Sequence, residues 1–172
     1  MPRQTYSEGE WFAVPLRDGG FAVGVIARAM PRKEGVLLGY FFGPRRSVPP
    51  TLEALSSLSV SDAVMVEIFG DLGIISGEWP LLGRMNGWDR TAWPTPEFGR
   101  FEELTGRAFK VIYDDENPNR VIREEQIDPS ELVGLPQDGL SGAGAVERTL
   151  TRLLPQGWGQ SRRAGLLLHV TF

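Results

Sequence analysis

The Asp-Gly-Gly turn at residues 18–20 and the apolar segments around it place the strongest constraint on the fold of this chain. Residues 11–17 (WFAVPLR) and 21–30 (FAVGVIARAM) flank a glycine pair that supplies the positive φ angles of a tight hairpin turn. Residues 36–43 (VLLGYFFG) are apolar almost without interruption, which is typical of a strand buried on both faces. These segments therefore predict a β-hairpin followed by a central strand.

Further strand signals lie along the rest of the chain. Residues 63–69 (AVMVEIF) form another candidate strand, and residues 108–127 predict a second hairpin with its turn at Asn117-Pro118-Asn119. The C-terminal residues 165–172 (GLLLHVTF) alternate between two faces, which predicts a last strand. Most of the regular structure is therefore expected to be β.

Two helices complete the prediction. Thr51 is the expected cap of a short helix that points Leu55 inward, and Ser141 is the expected cap of a longer helix that ends at Pro155. Many strands with few helices predict an α+β fold, a mainly antiparallel curved sheet or partial β-barrel with a few packed helices.

The length and composition fit one domain over residues 1–172. Hydrophobic residues make up 41% and charged residues 23%, which is close to the balance of globular proteins. No run approaches the roughly 20 apolar residues of a membrane-spanning helix, and the first residues lack the apolar core of a secretory signal. We expect a cytoplasmic protein that does not bind a membrane.

The sequence offers few groups for catalysis or for metal binding. It contains no cysteine, and its single histidine, His169, has no serine-elbow motif to serve, so we interpret it as structural or exposed. No phosphate-binding or dinucleotide-binding motif is present. We therefore expect no cofactor, no metal and no catalytic residue. One enzymatic alternative stays open, in which Asp71 works with Glu67 or Glu78 as a pair of carboxylates.

The segment GDLGIISGEWPLLGRMNGW, residues 70–88, is rich in glycine and tryptophan and holds no paired nucleophile and base. Its glycines predict backbone turns that allow Trp79 to lie across the chain. Trp88 and Trp93 belong to a stretch with many turn-forming residues. Two interpretations of the three tryptophans stay open, as rings that cap the core or as exposed rings that anchor a partner.

Negative charge is concentrated in residues 114–131, where seven acids and two arginines give a local charge of −5. Such a cluster is typical of a solvated hairpin, and it also suits a docking face for a basic partner. The stretch DDENPN lacks the ligand spacing of a calcium-binding loop, and the net charge of −4 disfavours binding to nucleic acid. The candidate partner-binding residues are Asp114, Asp115, Glu116, Glu124, Glu125, Asp128, Trp79, Trp88 and Trp93.

Several ordered segments together resemble the immunity protein 26 family of bacterial polymorphic toxin systems. They are EGEWFAVPLRDGGFAVGVIAR, GVLLGYFFG, GDLGIISGEWPLLG, WPTPEFGR and LPQDGLSGAGAVERTLTRLL. The resemblance implies a cytoplasmic, non-catalytic antidote that binds and neutralises a cognate toxin, and it assigns no residue to a site. Two other classes stay open, a small-barrel peptide-binding or adaptor module and the carboxylate-based hydrolase.

Overall fold

The computed structural model describes residues 4–30 and 35–157, which form two β-sheets and a helical layer. The strands are β1 (Glu10–Pro15), β2 (Phe21–Ala29), β3 (Val36–Arg46), β4 (Met65–Gly70), β5 (Leu81–Arg84), β6 (Phe98–Glu102), β7 (Arg107–Asp114), β8 (Asn117–Ile127) and β9 (Leu140–Ser141). The helices are α1 (Leu72–Ile75) and α2 (Ala143–Leu153), and 3₁₀ turns span Glu53–Leu55, Val60–Asp62, Arg90–Ala92 and Pro129–Leu132. The predicted strand at residues 165–172, which includes His169, lies outside the described residues.

The larger sheet has six strands in the order β5-β1-β2-β3-β4-β9. β1 and β2 pair antiparallel around the predicted turn, where Gly19 and Gly20 have φ angles of 102° and 77°. β3 lies between β2 and β4, and its residues 36–42 are all buried. The predicted hairpin and central strand are therefore confirmed. The sheet ends at β5 and at β9, so it is not closed into a barrel, and the α+β fold with a mainly antiparallel sheet is confirmed.

Each face of the six-stranded sheet is covered by a different layer. On one face, Val146 and Leu150 of α2 pack in a cluster with Phe41 of β3. On the other face, Phe42 packs in a second cluster with Phe98 and Val111 of the smaller, antiparallel sheet β6-β7-β8. Adjacent residues of a strand point to opposite faces, so the two clusters lie on opposite sides of β3. The fold is therefore a helix layer, a central sheet and a second sheet.

The second hairpin forms, but its turn lies earlier than predicted. β7 ends at Asp114 and β8 begins at Asn117, so Asp115 and Glu116 form the turn. The Asp114 carboxylate accepts a hydrogen bond from the backbone N–H of Glu116 at 2.8 Å, which is the local contact that makes aspartate a turn former. The Asn117 side chain accepts a similar bond from the N–H of Asn119 at 2.9 Å, where β8 pairs irregularly with β7. The Asn-Pro-Asn segment is therefore an irregular start of β8.

Both predicted helices exist, with different starting residues. Gly142 is the N-cap of α2, because Ser141 belongs to β9 and donates its hydroxyl to the carboxylate of Glu67. The helix after Thr51 is reduced to the 3₁₀ turn Glu53–Leu55, with Leu52 as its N-cap and Leu55 buried. No helix within residues 4–30 and 35–157 is long and apolar enough to cross a membrane.

The glycine-rich segment after β4 forms a tight scaffold around Trp79. The backbone N–H of Trp79 donates to the carbonyl oxygen of Gly73 at 2.8 Å. The indole is fully buried, and its ring lies parallel to that of Phe12 with centroids 5.8 Å apart. A Cβ atom at position 73 would lie only 2.5 Å from the indole. The predicted role of glycine here, which is to let Trp79 lie across the backbone, is confirmed.

Trp79 is also connected to α2 through Glu147. The indole Nε1 donates to Glu147 Oε1 at 3.0 Å, and Arg17 Nε pairs with Glu147 Oε2 at 2.9 Å. The backbone N–H of Arg17 donates to the hydroxyl of Thr151 at 3.0 Å. One carboxylate therefore joins α2 to the turn after β1 and to the segment after α1.

The contact between Gly73 and Trp79 gives a stability prediction. Gly73→Ala forces a methyl group against a buried ring, so we expect it to lower the free energy of unfolding by about 1–3 kcal/mol. Gly70→Ala is the matched control, because the nearest atom outside the adjoining residues, the Ser141 carbonyl oxygen, would lie 4.0 Å from the new Cβ. Urea unfolding measures both variants, and equal stabilities would contradict the packing described here.

Candidate protein-binding surface

The three-stranded sheet and its connections, residues 97–138, carry half of the carboxylates of the chain. Eleven Asp and Glu residues against five Lys and Arg residues give this region a charge of −6. The whole chain has a charge of −4, so the remaining sequence sums to +2. We call residues 97–138 the acidic sheet. The negative charge of the chain is thus concentrated in one layer of the fold.

A buried arginine of the six-stranded sheet joins the two sheets. Arg28 in β2 is 3% exposed, and its Nη2 lies 2.8 Å from Asp115 Oδ1. Its Nη1 donates to the carbonyl oxygens of Ala27 and Trp93 at 2.7 and 2.9 Å. Burial opposes the charge of Asp115, but hydrogen bonds from Thr95 and Arg28 outweigh it and lower the pKa of this carboxyl. Asp115 therefore has a structural role in joining the sheets.

The other acids at the turn of the second hairpin are also paired. Arg90, which precedes the acidic sheet, contacts the carboxylate of Glu116 and donates to the carbonyl oxygen of Asp115 at 2.8 Å. The hydrogen bond with Glu116 raises the pKa of Arg90. Asp114 pairs with Arg120 of β8. Arg28 and Arg90, which are distant in sequence, and the nearby Arg120 therefore balance much of the charge that the sequence places at this turn.

Two acids of β8 take part in ion pairs across the acidic sheet. Arg100 donates from Nη1 and Nη2 to the two carboxylate oxygens of Glu124 at 3.0 and 3.2 Å. The same Nη1 lies 3.1 Å from the largely buried carboxylate of Asp138. Glu125 lies 3.3 Å from the ammonium of Lys110. Glu124 and Glu125 are therefore held in fixed positions, each beside a cation.

Three acids of the acidic sheet have no cationic partner among the described residues, and we call Glu103, Asp128 and Glu131 the open acidic end. Glu103 lies in the turn between β6 and β7, and Asp128 directly follows Ile127, which pairs with Ala108 at the start of β7. These acids thus lie at the end of the sheet opposite the Asp115-Glu116 turn. Asp128 accepts a backbone hydrogen bond at the start of the 3₁₀ turn Pro129–Leu132, and Glu131 Oε2 accepts one from the N–H of Asp128 at 2.9 Å.

Trp79, Trp88 and Trp93 all pack against the core. Trp79 and Trp93 are buried, so of the two interpretations, that of exposed anchors is wrong for these rings and that of core capping describes them. Trp93 packs edge-on against Trp11 at 5.8 Å between ring centroids, and its carbonyl oxygen binds Arg28. Trp88 is half buried and stacks on Trp93 at 6.0 Å. The large apolar rings of Trp88 and Trp93 contribute to the second core cluster, whereas Trp79 belongs to the first.

The carboxylates considered for catalysis have separate structural contacts. Asp71 accepts a hydrogen bond from the hydroxyl of Tyr6 at 2.9 Å. Glu67 accepts one from Ser141, and burial raises the pKa of Glu67 to about 7. Glu78 is exposed. Within residues 4–30 and 35–157, no group of three or more His, Cys, Asp or Glu side chains is placed to hold a metal ion.

Sequence reasoning missed Arg28, although a signal for it exists. Arg28 is the only charged residue of the strand FAVGVIARA. A guanidinium in a buried strand needs carboxylate or carbonyl partners, because an unpaired buried charge is very costly. That signal predicts an acidic partner for Arg28 but does not identify Asp115, which lies 87 residues away in the sequence.

Comparison with protein-family models matches residues 7–110 to the model described as Immunity protein 26. The match covers more than half of the 172 residues. The chain belongs to the immunity protein 26 family. The resemblance found from the sequence is therefore confirmed. No curated protein and no solved structure matches the chain significantly.

The match to the immunity protein 26 family covers the central sheet more fully than the acidic sheet. Residues 7–110 include β1 to β6 and the first part of β7, and they contain Arg28 and Glu103. β8, the remaining two acids of the open acidic end and α2 lie beyond the matched residues. The family match therefore includes most of the central sheet and Arg28, but not Asp115, the partner of Arg28 in the acidic sheet.

The ion pair between Arg28 and Asp115, which is the joint between the two sheets, gives a stability prediction for this member of the immunity protein 26 family. Asp115→Ala leaves the buried Arg28 without its carboxylate, although three backbone carbonyls remain as acceptors. Because Asp115 itself is half exposed, we expect the free energy of unfolding to fall by about 2–3 kcal/mol. Glu116→Ala, at the neighbouring exposed pair with Arg90, should cost under about 1 kcal/mol. Denaturant unfolding that ranks the two variants equally would contradict a joint centred on Arg28.

Glu67 gives a prediction for the pH dependence of stability. Burial raises the pKa of Glu67 from its ordinary value of 4.5 to about 7 in the folded protein. The folded protein therefore favours the protonated form of Glu67. The free energy of unfolding that this preference contributes is lost as the pH rises through about 7. Glu67→Gln keeps an acceptor for Ser141 and removes the titration. Between pH 5 and pH 8 the wild type should lose about 2–3 kcal/mol more than the variant. Parallel pH profiles in urea unfolding would show that Glu67 does not titrate in this range.

Proposed function

We propose that this protein is a cytoplasmic, non-catalytic antidote that binds and neutralises a cognate toxin through its acidic sheet. Membership of the immunity protein 26 family supports the class of function. The observation that carries the choice of surface is the charge of −6 on residues 97–138. This charge is carried by a layer that covers one face of the central sheet, while α2 covers the other.

A basic toxin is the partner that this charge fits. Proteins that act on nucleic acid or on anionic membranes use basic surfaces, because their targets carry phosphates. A negative surface on the antidote attracts such a protein, raises the association rate and disfavours acidic partners. The acidic sheet therefore suits an antidote that must capture a basic toxin quickly.

The acids of this surface contribute unequally. Asp114, Asp115 and Glu116 form ion pairs with arginines, and Glu124 and Glu125 have cations beside them. Their charges remain part of the field, but each is partly offset by its neighbour. The open acidic end, which includes Asp128, has no such compensation within the described residues. We assign it the largest part of the attraction for the toxin.

The test measures binding kinetics against the cognate toxin domain, which we expect in a toxin-like reading frame beside the gene. Glu103→Gln, Asp128→Asn and Glu131→Gln are combined, because amide oxygens can still accept the hydrogen bonds of the 3₁₀ turn Pro129–Leu132. We expect association to slow roughly ten-fold at low salt and to become less dependent on salt. Dissociation and thermal stability should change little, since exposed charges act mainly on encounter.

The matched control removes the same charge elsewhere. Glu53→Gln, Asp62→Asn and Glu78→Gln neutralise three exposed acids outside the acidic sheet, and Asp62 also caps a 3₁₀ turn. Equal association rates for the two triple variants would remove the open acidic end from the toxin-facing surface. A wild-type protein that neither binds the neighbouring toxin nor protects cells that express it would refute the antidote function.

A further inference from the structure

β8 presents apolar side chains at an open edge of the acidic sheet. Residues 119–124 are all exposed, and no described strand pairs with the outer edge of β8. Val121 and Ile122 lie in this stretch and are 42% and 59% exposed. An exposed apolar pair on an unpaired strand edge favours association with another protein.

A β-bulge sets the position of Ile122. In the pairing between β7 and β8, Ile112 lies opposite Arg123 and Tyr113 lies opposite Val121. Adjacent residues of β7 thus face residues two apart on β8, which makes Ile122 the extra residue of a bulge. A bulge interrupts the ladder and redirects a side chain. Ile122 therefore has no partner opposite it in its own sheet and is turned toward solvent.

Charged side chains surround the apolar pair and are themselves held in place. Each forms an ion pair within the acidic sheet: Arg120 with Asp114, Arg123 with Glu125, and Glu124 with Arg100. An apolar centre with a polar rim is the usual arrangement of a protein interface. Side chains that are already ordered lose less entropy when a partner binds.

We infer that Val121 and Ile122 are the apolar anchor by which the toxin docks on the acidic sheet. This inference rests on the proposed function and identifies the contact that follows electrostatic encounter. The occupant is a basic face of the toxin with an apolar recess for Ile122. Charge complementarity selects it, because a sheet with a charge of −6 repels an acidic partner. The anchor takes the role that the sequence suggested for the buried Trp79 and Trp93.

The anchor and the open acidic end fit within one interface. β8 runs from Ile122 to its end and leads directly into Asp128, a separation of about 20 Å at the rise of a β-strand. A protein interface of standard size covers about 800 Å² on each partner, which is wide enough to include both. The two features act on different steps, since charges set association and buried apolar contacts set dissociation.

The experiment compares the rates for Ile122→Ser and Val121→Thr with those of the wild type, using the toxin domain encoded beside the gene. We expect Ile122→Ser to raise the dissociation rate roughly ten-fold and Val121→Thr to raise it less, with association nearly unchanged. Ile122→Val should retain binding. Leu72→Ser is the matched control, because Leu72 is 65% exposed and lies outside the acidic sheet. Thermal unfolding establishes that each variant is folded.

Each outcome decides between the anchor and the function on which it rests. Toxin binding by the wild type with an unchanged dissociation rate for Ile122→Ser overturns the anchor and leaves the antidote function standing. Absence of wild-type binding overturns both. Light scattering of the free protein identifies a different occupant: if Ile122→Ser converts a dimer into a monomer and leaves the toxin rates unchanged, the edge of β8 binds a second copy of the chain.

Discussion

The buried guanidinium of Arg28 determines how the two sheets of this protein are placed. It lies in the middle layer, where an unpaired charge would be very unfavourable, and the carbonyl oxygen of Ala27 is its partner within β2, so the other partners come from outside this strand. The carbonyl oxygen of Trp93 and the carboxylate of Asp115 supply them at 2.9 and 2.8 Å. Apolar contacts of Phe98 and Val111 hold the same two layers together but are not directional. The ion pair therefore orients the acidic sheet, and with it the surface that we propose for the toxin.

The fold was predictable wherever it depends on local signals. The β1–β2 hairpin, the buried β3 and the helix α2 follow from turn glycines, apolar runs and helical spacing, which act over a few residues. The candidate surface was predictable only in outline, because ion pairs between distant residues do not show in the sequence. The acidic turn at Asp115 and Glu116 looks free in the sequence. In the structure Arg28 binds Asp115 and Arg90 binds Glu116, so this turn connects the two sheets. The burial of Trp79 and Trp93 likewise depends on which layers pack on each face of the central sheet, and the sequence does not show this.

Family membership and structure support different parts of the functional proposal. The matched residues end within β7, so they support the class of protein and the scaffold. The anchor on β8 and two of the three acids of the open acidic end lie beyond them, and their assignment depends on exposure, pairing and charge. A surface built on a hairpin of this kind can change its outer side chains with little effect on the core, since residues 119–124 are exposed.

The carboxylate of Glu147 determines the axial position of α2. The helix packs on the central sheet through Val146, Leu150 and Leu154, which repeat at intervals of four residues. An apolar stripe of this kind looks similar after a slide of one helical turn, about 5.4 Å, so it discriminates weakly between neighbouring registers. One carboxylate oxygen of Glu147 accepts a hydrogen bond from the Trp79 indole at 3.0 Å, and the other pairs with the guanidinium of Arg17 at 2.9 Å. A slide would break both contacts at once, together with the hydrogen bond from the N–H of Arg17 to Thr151, so these polar contacts, and not the apolar stripe, select the register of the helix.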